Sequence, residues 1–244
     1  MAYGISKSPL LVAATPSYFH TATSIAALDI TGDITVEAWV KFTSMPADRA
    51  TIVGKPNATK NGYATYNFEL EKNGANYDLR FVADAGGVFA VDYLSWNPST
   101  GVWYHVAVTR VSSSGVVKIY VNGTEVASAT GNTGATAAST SALTIGNFAS
   151  DTTNLPFDGR ISLVRVWNVV RTATQISDNK CTVYGTATTN MQGEWSLNDV
   201  LTDASGNAST LTNSGAVVFA ADVPSVCSVS AVIVPISNLL LMGV

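Results

Sequence analysis

Ile34-Thr35-Val36-Glu37-Ala38-Trp39-Val40-Lys41-Phe42 alternates small apolar residues with Thr, Glu, Trp and Lys. A period of two predicts a β-strand whose two faces are used differently, one of them in a core. Gly101–Val108 and Phe157–Trp167 read the same way. Turn signals recur at Thr31-Gly32-Asp33, Lys72-Asn73-Gly74, Asp84–Gly87, Asn97-Pro98, Ser113–Gly115, Asn122-Gly123 and Ala204–Asn207, a spacing that indicates a sandwich of short strands. Val117–Ala127 is the clearest hairpin, because Asn122-Gly123 can supply the two positive φ angles of a type I′ turn. That turn accounts for the glycosylation-like triplet at Asn122 without a sugar; Asn57 and Asn207 begin similar triplets. Val126–Ser150 carries no charge and reads as a loop followed by a strand at Ala142–Gly146. One short helix is predicted within Asn168–Ile176, with Thr172 as its N-cap.

The chain has 244 residues, enough for one large all-β domain burying roughly 70–75% of its unfolded surface. Only 12% of residues are charged and the net charge is -4, so there is no basic surface to displace counterions from phosphates. Nucleic acid is therefore excluded as a partner. The Ala, Thr, Ser, Val, Gly and Asn that make up much of the rest suit strands, turns and an exterior-type surface. Cys181 and Cys227 are the only cysteines. A disulfide between them would be worth about 4 kcal/mol in the chain-entropy model; two buried free thiols are the alternative, since pairing needs the right Cα separation.

The apolar run near Pro9 is too short for a secretion signal. This predicts a protein on an extracellular or virion surface, either after loss of a signal or by release from the cell where it assembles. Val223–Val244 has no charged side chain, but Pro224, Pro235 and Asn238 interrupt it and no cationic flank follows, which argues against a membrane span. The expected organisation is a domain over 1–224 and an apolar arm over 225–244 that packs on another subunit, making a homo-oligomer or larger assembly, with an internal closing strand on this same domain as the alternative.

In order, the Ile34–Lys41 strand, Thr51–Lys55, Trp103–Ala107, Ile119–Gly123, Phe157–Asn168, Gly193–Leu197 and Asp203–Asn207 resemble the laminin-G-like, concanavalin-A-like group of lectin and glucanase domains. The resemblance covers roughly residues 10 to 224. It implies a two-sheet antiparallel jelly-roll sandwich, usually a binder rather than an enzyme. It also implies a structural calcium near one edge, for which Asp29, Asp33, Asp158 and Asp203 are the candidates. Where the group usually has Ile-Asp-Glu-Val, this chain has Ile161-Ser162-Leu163-Val164, and Asp before Gly or Ser also serves ordinary turns.

Some jelly rolls of the wider class hydrolyse glycans with carboxylates alternating on one strand, as Glu69 and Glu71 do. The further carboxylate expected there is replaced by the Asn73-Gly74 turn, and a solvated strand face explains the pair more simply. His105 fits a structural, partly buried imidazole, and His20 lies in no motif. No nucleophilic triad, phosphate loop or zinc spacing is present. A glycan binder needs exposed aromatic faces beside planar polar groups. Tyr63, Tyr66, Tyr77, Tyr93 and Trp96 are the candidates, with Asn61, Asn67 and Asn76 nearby, whereas Trp39, Trp103, Trp167 and Trp195 are assigned to packing. The expectation is a non-catalytic adhesion or recognition module for a glycan or a surface protein. A virion decoration or fibre subunit is the alternative, and a glycan hydrolase comes third.

Overall fold

The computed structural model describes residues 5–22, 24–57, 64–148, 155–186 and 188–227. Tyr63 and Asn61, and all of the proposed arm beyond Cys227, lie outside these residues. With strands numbered along the chain, sheet A runs β10 (Thr124–Thr130), β9 (Val116–Val121), β8 (Trp103–Arg110), β3 (Ile34–Phe42), β12 (Gly159–Trp167), β1 (Ser8–Leu11) and β15 (Val218–Ala220); β13 (Met191–Trp195) also pairs with β12. Sheet B runs β14 (Leu211–Ser214), β2 (Tyr18–Thr21), β11 (Thr144–Ile145), β4 (Arg49–Pro56), β5 (Ala64–Asn73), β6 (Asn76–Asp84) and β7 (Val88–Tyr93). The strand pairs are antiparallel. The result is the two-sheet sandwich that the period-two pattern predicts.

The alternation in β3 decides what each face meets. Ile34, Val36, Ala38, Val40 and Phe42 enter the core between the sheets, together with Phe68, Leu70, Leu79 and Phe81 from sheet B. Thr35, Glu37 and Trp39 point the other way, yet they too are buried. Their cover is a third layer laid over sheet A. The helix α1 (Ala173–Asp178) packs Ile176 on Tyr120 and Ala107, and the segment after it returns to β13. Thr172 caps α1 through a capping box with Gln175, so the helix starts at Ala173, as the predicted cap requires, and runs to Asp178. At Asn122-Gly123 both φ angles are positive, 54° and 88°, as the hairpin requires.

Cys181 and Cys227 are bonded, which fastens the end of the described chain to the layer over sheet A. Cys227 is buried with Ile5, Trp39 and Leu163. A 3-10 turn over Ser225–Cys227 belongs to the same packed unit, so the domain extends past the expected limit at residue 224. No helix among the described residues is long and apolar enough to cross a membrane.

Candidate functional site

Sheet B is covered differently from sheet A. On β5, Tyr66, Phe68 and Leu70 point into the core, which sends Thr65, Asn67, Glu69 and Glu71 to the outer face by strand alternation. The register aligns Thr51, Glu69, Arg80 and Asp92 in one row across β4, β5, β6 and β7, and Arg49, Glu71 and Asp78 in the next. The chain after β11 folds over part of this face. Thr51 N donates to Leu155 O at 3.0 Å, Leu155 N donates to Asn147 Oδ1 at 2.9 Å, and Phe148 packs with Leu155. Gly54 makes room for this cover: a Cβ there would stand 2.9 Å from both Asn67 Oδ1 and the Phe148 ring.

Under the cover, Glu69 is fully buried, which corrects the expectation of a solvated strand face. Its Oε2 accepts from Asn67 Nδ2 at 2.6 Å, and Arg49 Nη1 stands 3.9 Å from its Oε1. Arg80 pairs with Glu71 and, at 3.3 Å through Nε, with Asp92. Burial pushes the Glu69 carboxyl up to about 7 and the Glu71 charge adds to this, while Arg49, Arg80 and the Asn67 bond oppose it. Burial also raises Asp92, against Arg80. Thr51 Oγ1, Asn67 Oδ1, Glu69 Oε1, Arg80 Nε and Asp92 Oδ1 are buried without a hydrogen-bond partner among the described residues. Arg80 Nε and Asp92 Oδ1 face each other as an ion pair and Glu69 Oε1 faces Arg49, so Thr51 Oγ1 and Asn67 Oδ1 are the atoms of this set left with neither a hydrogen bond nor an ion pair among the described residues.

The row opens at one end into a pocket of about 370 Å³ between Ser44–Arg49 and Leu155–Asp158. Arg49, from the neighbouring row, lines the pocket and faces Glu69. Asp158 lines it too, with Oδ2 accepting from Ser44 Oγ at 2.5 Å. The arrangement offers carboxylate acceptors and guanidinium donors at a concave surface, the polar chemistry that fixes a hydroxyl-rich ligand.

Glu69 implies a pH-dependent stability. Its folded value lies above the ordinary 4.5, so between about 4.5 and 7 the folded chain holds a proton that the unfolded chain has lost, and stability falls as pH rises through that window. Glu69→Gln is expected to flatten this fall and to be the more stable form at pH 8, by up to about 3 kcal/mol, in urea melts across pH 5–8. A parent and variant with parallel pH profiles would refute the assignment.

The predicted aromatic platform is corrected. Tyr66 is core, 1% exposed, with its hydroxyl donating to Leu28 O at 2.9 Å. Trp96 is buried against Phe42 and Tyr104. Tyr77 and Tyr93 pack on the core from the inner face of sheet B. Their parity along the strands turns these rings inward and leaves the polar residues outside.

The four calcium candidates do not converge. Asp203 accepts from Glu194 N, Ser205 N, Ser205 Oγ and Ser209 N, which fills its carboxylate. Asp33 takes Ser112 N and Oγ, and Asp29 takes Ser139 N. Asp29 and Asp33 line one small pocket with Asn168 and Gln192, Asp158 lies at the end of sheet B, and no cluster of three metal-ligating side chains exists among the described residues. Six to eight oxygens are not assembled at any of them, so the donor set does not fit the ion.

A sandwich of this topology, with a polar outer sheet and a concave rim, defines a lectin-like jelly roll. The chain belongs to the concanavalin A-like lectin/glucanases superfamily, whose laminin-G-like family profile matches residues 15–177, about two thirds of its length. No curated protein matches it in sequence. Among solved structures it is similar to a Bacteroides ovatus protein named for an inferred role in carbohydrate binding, with 21% identity, TM-score 0.69, and coverage of 90% of this chain and 60% of that one. The chain thus spans 60% of that relative's length. It is also similar to the heptameric SAP-like pentraxin of Limulus polyphemus, with 13% identity, TM-score 0.65, and 92% and 98% of the two chains covered. A third similarity is to domain 4 of an extracellular GH43 arabinanase from Geobacillus stearothermophilus, solved with arabinotriose, with 23% identity, TM-score 0.52, and 73% and 78% covered. At these identities the likeness shows the fold.

Proposed function

We propose that the protein is a non-catalytic carbohydrate-binding module that works outside the cell and holds a glycan at the rim and outer face of sheet B. The observation that carries this reading is the solvent-facing pocket between Ser44–Arg49 and Leu155–Asp158, where Arg49 stands between the lining and the charge network of Glu69, Arg80 and Asp92. Sugar hydroxyls both donate and accept, so one glycan can serve the Asp48 carboxylate and the Arg49 guanidinium together. The Bacteroides protein's name and the arabinotriose complex support the same class of ligand.

Glu69 and Glu71 share the outer face, as in two-carboxylate glycosidases. Against that role, the Glu71 carboxylate is held by Arg80, and Glu69 is fully buried. The test is a glycan array probed with the parent and with Arg49→Ala. The parent is expected to retain a defined set of oligosaccharides, arabino-oligosaccharides among the first to try, without releasing reducing ends. Arg49→Ala is expected to lose that signal. A parent that retains no glycan, or one that cleaves what it retains, contradicts the proposal.

A further inference from the structure

Trp103, assigned to packing by its strand pattern, is only partly buried. Its indole and that of Trp39 wall a pocket of about 250 Å³ on the outer face of sheet A, completed by Asn122, Lys180 and Pro224–Val226. This pocket lies across the sandwich from the sheet B rim and shares no residue with it. Both indole N–H groups are engaged by the protein: Trp39 Nε1 donates to Lys180 O at 2.7 Å, and Trp103 Nε1 to Asp222 Oδ1 at 3.1 Å. Asp222 is itself held by Lys41 at 2.7 Å and Arg160 at 3.0 Å. The two rings are therefore fixed in orientation; Trp39 is 4% exposed and forms the floor, so the carbon surface of the half-buried Trp103 is what remains for a ligand.

Polar groups in the lining are chiefly donors. Lys180 Nζ makes one bond, to Ser177 O at 2.9 Å, leaving two N–H groups. Asn122 Oδ1 accepts from His105 N at 2.9 Å, which commits the oxygen and leaves the amide nitrogen as a donor. Asn122 cannot easily turn away, because it occupies the first position of the tight Asn-Gly turn. No carboxylate lines the pocket. One aromatic surface, that of Trp103, with a cation and an amide donor matches a small ring that has one apolar face and one acceptor group. The volume lies below that of pockets for drug-sized ligands and suits a single ring.

We propose that this pocket is a second ligand site, taking one pyranose ring that bears an acceptor substituent, either an acetamido carbonyl or a carboxylate. The C–H face of the sugar lies on Trp103, above the Trp39 floor, and the acceptor faces Lys180 and Asn122. With a site on each sheet, the module would engage two glycan chains from opposite sides, and the second site stands on its own if the first fails.

The test follows the indole N–H resonances of the full chain, labelled with nitrogen-15, during titration to millimolar N-acetylglucosamine, glucuronic acid or glucose. Trp39 and Trp103 are expected to shift with at least one of the two acceptor-bearing sugars and not with glucose, while Trp96, Trp167 and Trp195 stay fixed. Which sugar acts identifies the substituent. Lys180→Met should weaken the response at least tenfold, and Glu69→Gln should leave it intact. No shift with either acceptor sugar, an equal shift with glucose, or an unchanged response in Lys180→Met overturns the proposal.

Discussion

Glu37→Gln is expected to lower the free energy of unfolding by about 3–5 kcal/mol, the usual cost of removing one partner from a buried ion pair. Glu37 is the carboxylate on which the cations beneath the layer that covers sheet A converge, with Glu194 on the other side of Arg165. Its Oε2 accepts from Arg165 Nη2 at 2.9 Å, its Oε1 accepts from Trp167 Nε1 at 2.9 Å, and Arg171 Nε and His105 Nε2 stand at 3.7 and 3.4 Å. Burial alone would raise this carboxyl, but Arg165, His105 and Arg171 together hold it at about 2. Arg165 also donates to Asn179 O and Thr182 O, so one charge network ties β3 and β12 to the covering segment. An amide at position 37 would remove the carboxylate that Arg165 and Arg171 share, leaving Glu194 as the nearest counter-charge of Arg165. Because the folded value lies below the ordinary 4.5, this stabilisation is present above that pH and is lost as pH falls towards 2. Denaturant melts of parent and variant at neutral pH measure it. A difference under about 1 kcal/mol, within the range of ordinary surface substitutions and their neighbours, would contradict the role.

Replacing both cysteines by Ala is expected to cost about 4 kcal/mol, since the bond joins residues 46 apart and the entropy it removes from the unfolded chain scales with that loop. The effect extends to structure. Cys227 ends the turn that walls the Trp39–Trp103 pocket, and the bonded pair sits on Trp39 and Leu163. Unfolding of the double variant, and of the parent with and without reductant, should agree on the loss. A stability equal to the parent's in both experiments would show that packing alone secures the C-terminal segment.

Much of the fold was legible because the signals were local. The period of two in β3 and β12, the Asn122-Gly123 turn and the Thr172 cap each depend on neighbouring residues, and all reappear in the structure. The candidate site was less legible because its environment is made by residues distant in sequence. Glu69 and Glu71 stood out as a same-face pair, but Glu69 is fully buried on a face where Phe148 and Leu155 pack, which strand alternation cannot predict. Arg80 and Asp92 join the row only through the registers of β6 and β7. The aromatic residues misled for a related reason: turn-rich surroundings suggested exposure, while the parity of Tyr66, Tyr77 and Tyr93 on their strands turns them towards the core. That parity was available from the sequence once Glu69 was placed outward. The cysteine question depended on a Cα separation, 5.1 Å here, that only the assembled layers fix.

The most direct test of the central claim is isothermal titration of the best glycan from the array into the parent and into Arg49→Ala and Glu69→Gln. Arg49 joins the pocket to the polar row, so its removal is predicted to weaken binding at least tenfold, consistent with losing hydrogen bonds to a charged group at about 1.5–3 kcal/mol. Glu69→Gln is predicted to weaken binding most at pH 8, where the parent carboxylate is ionised. Affinities unchanged in both variants would place the glycan elsewhere and contradict the sheet B assignment.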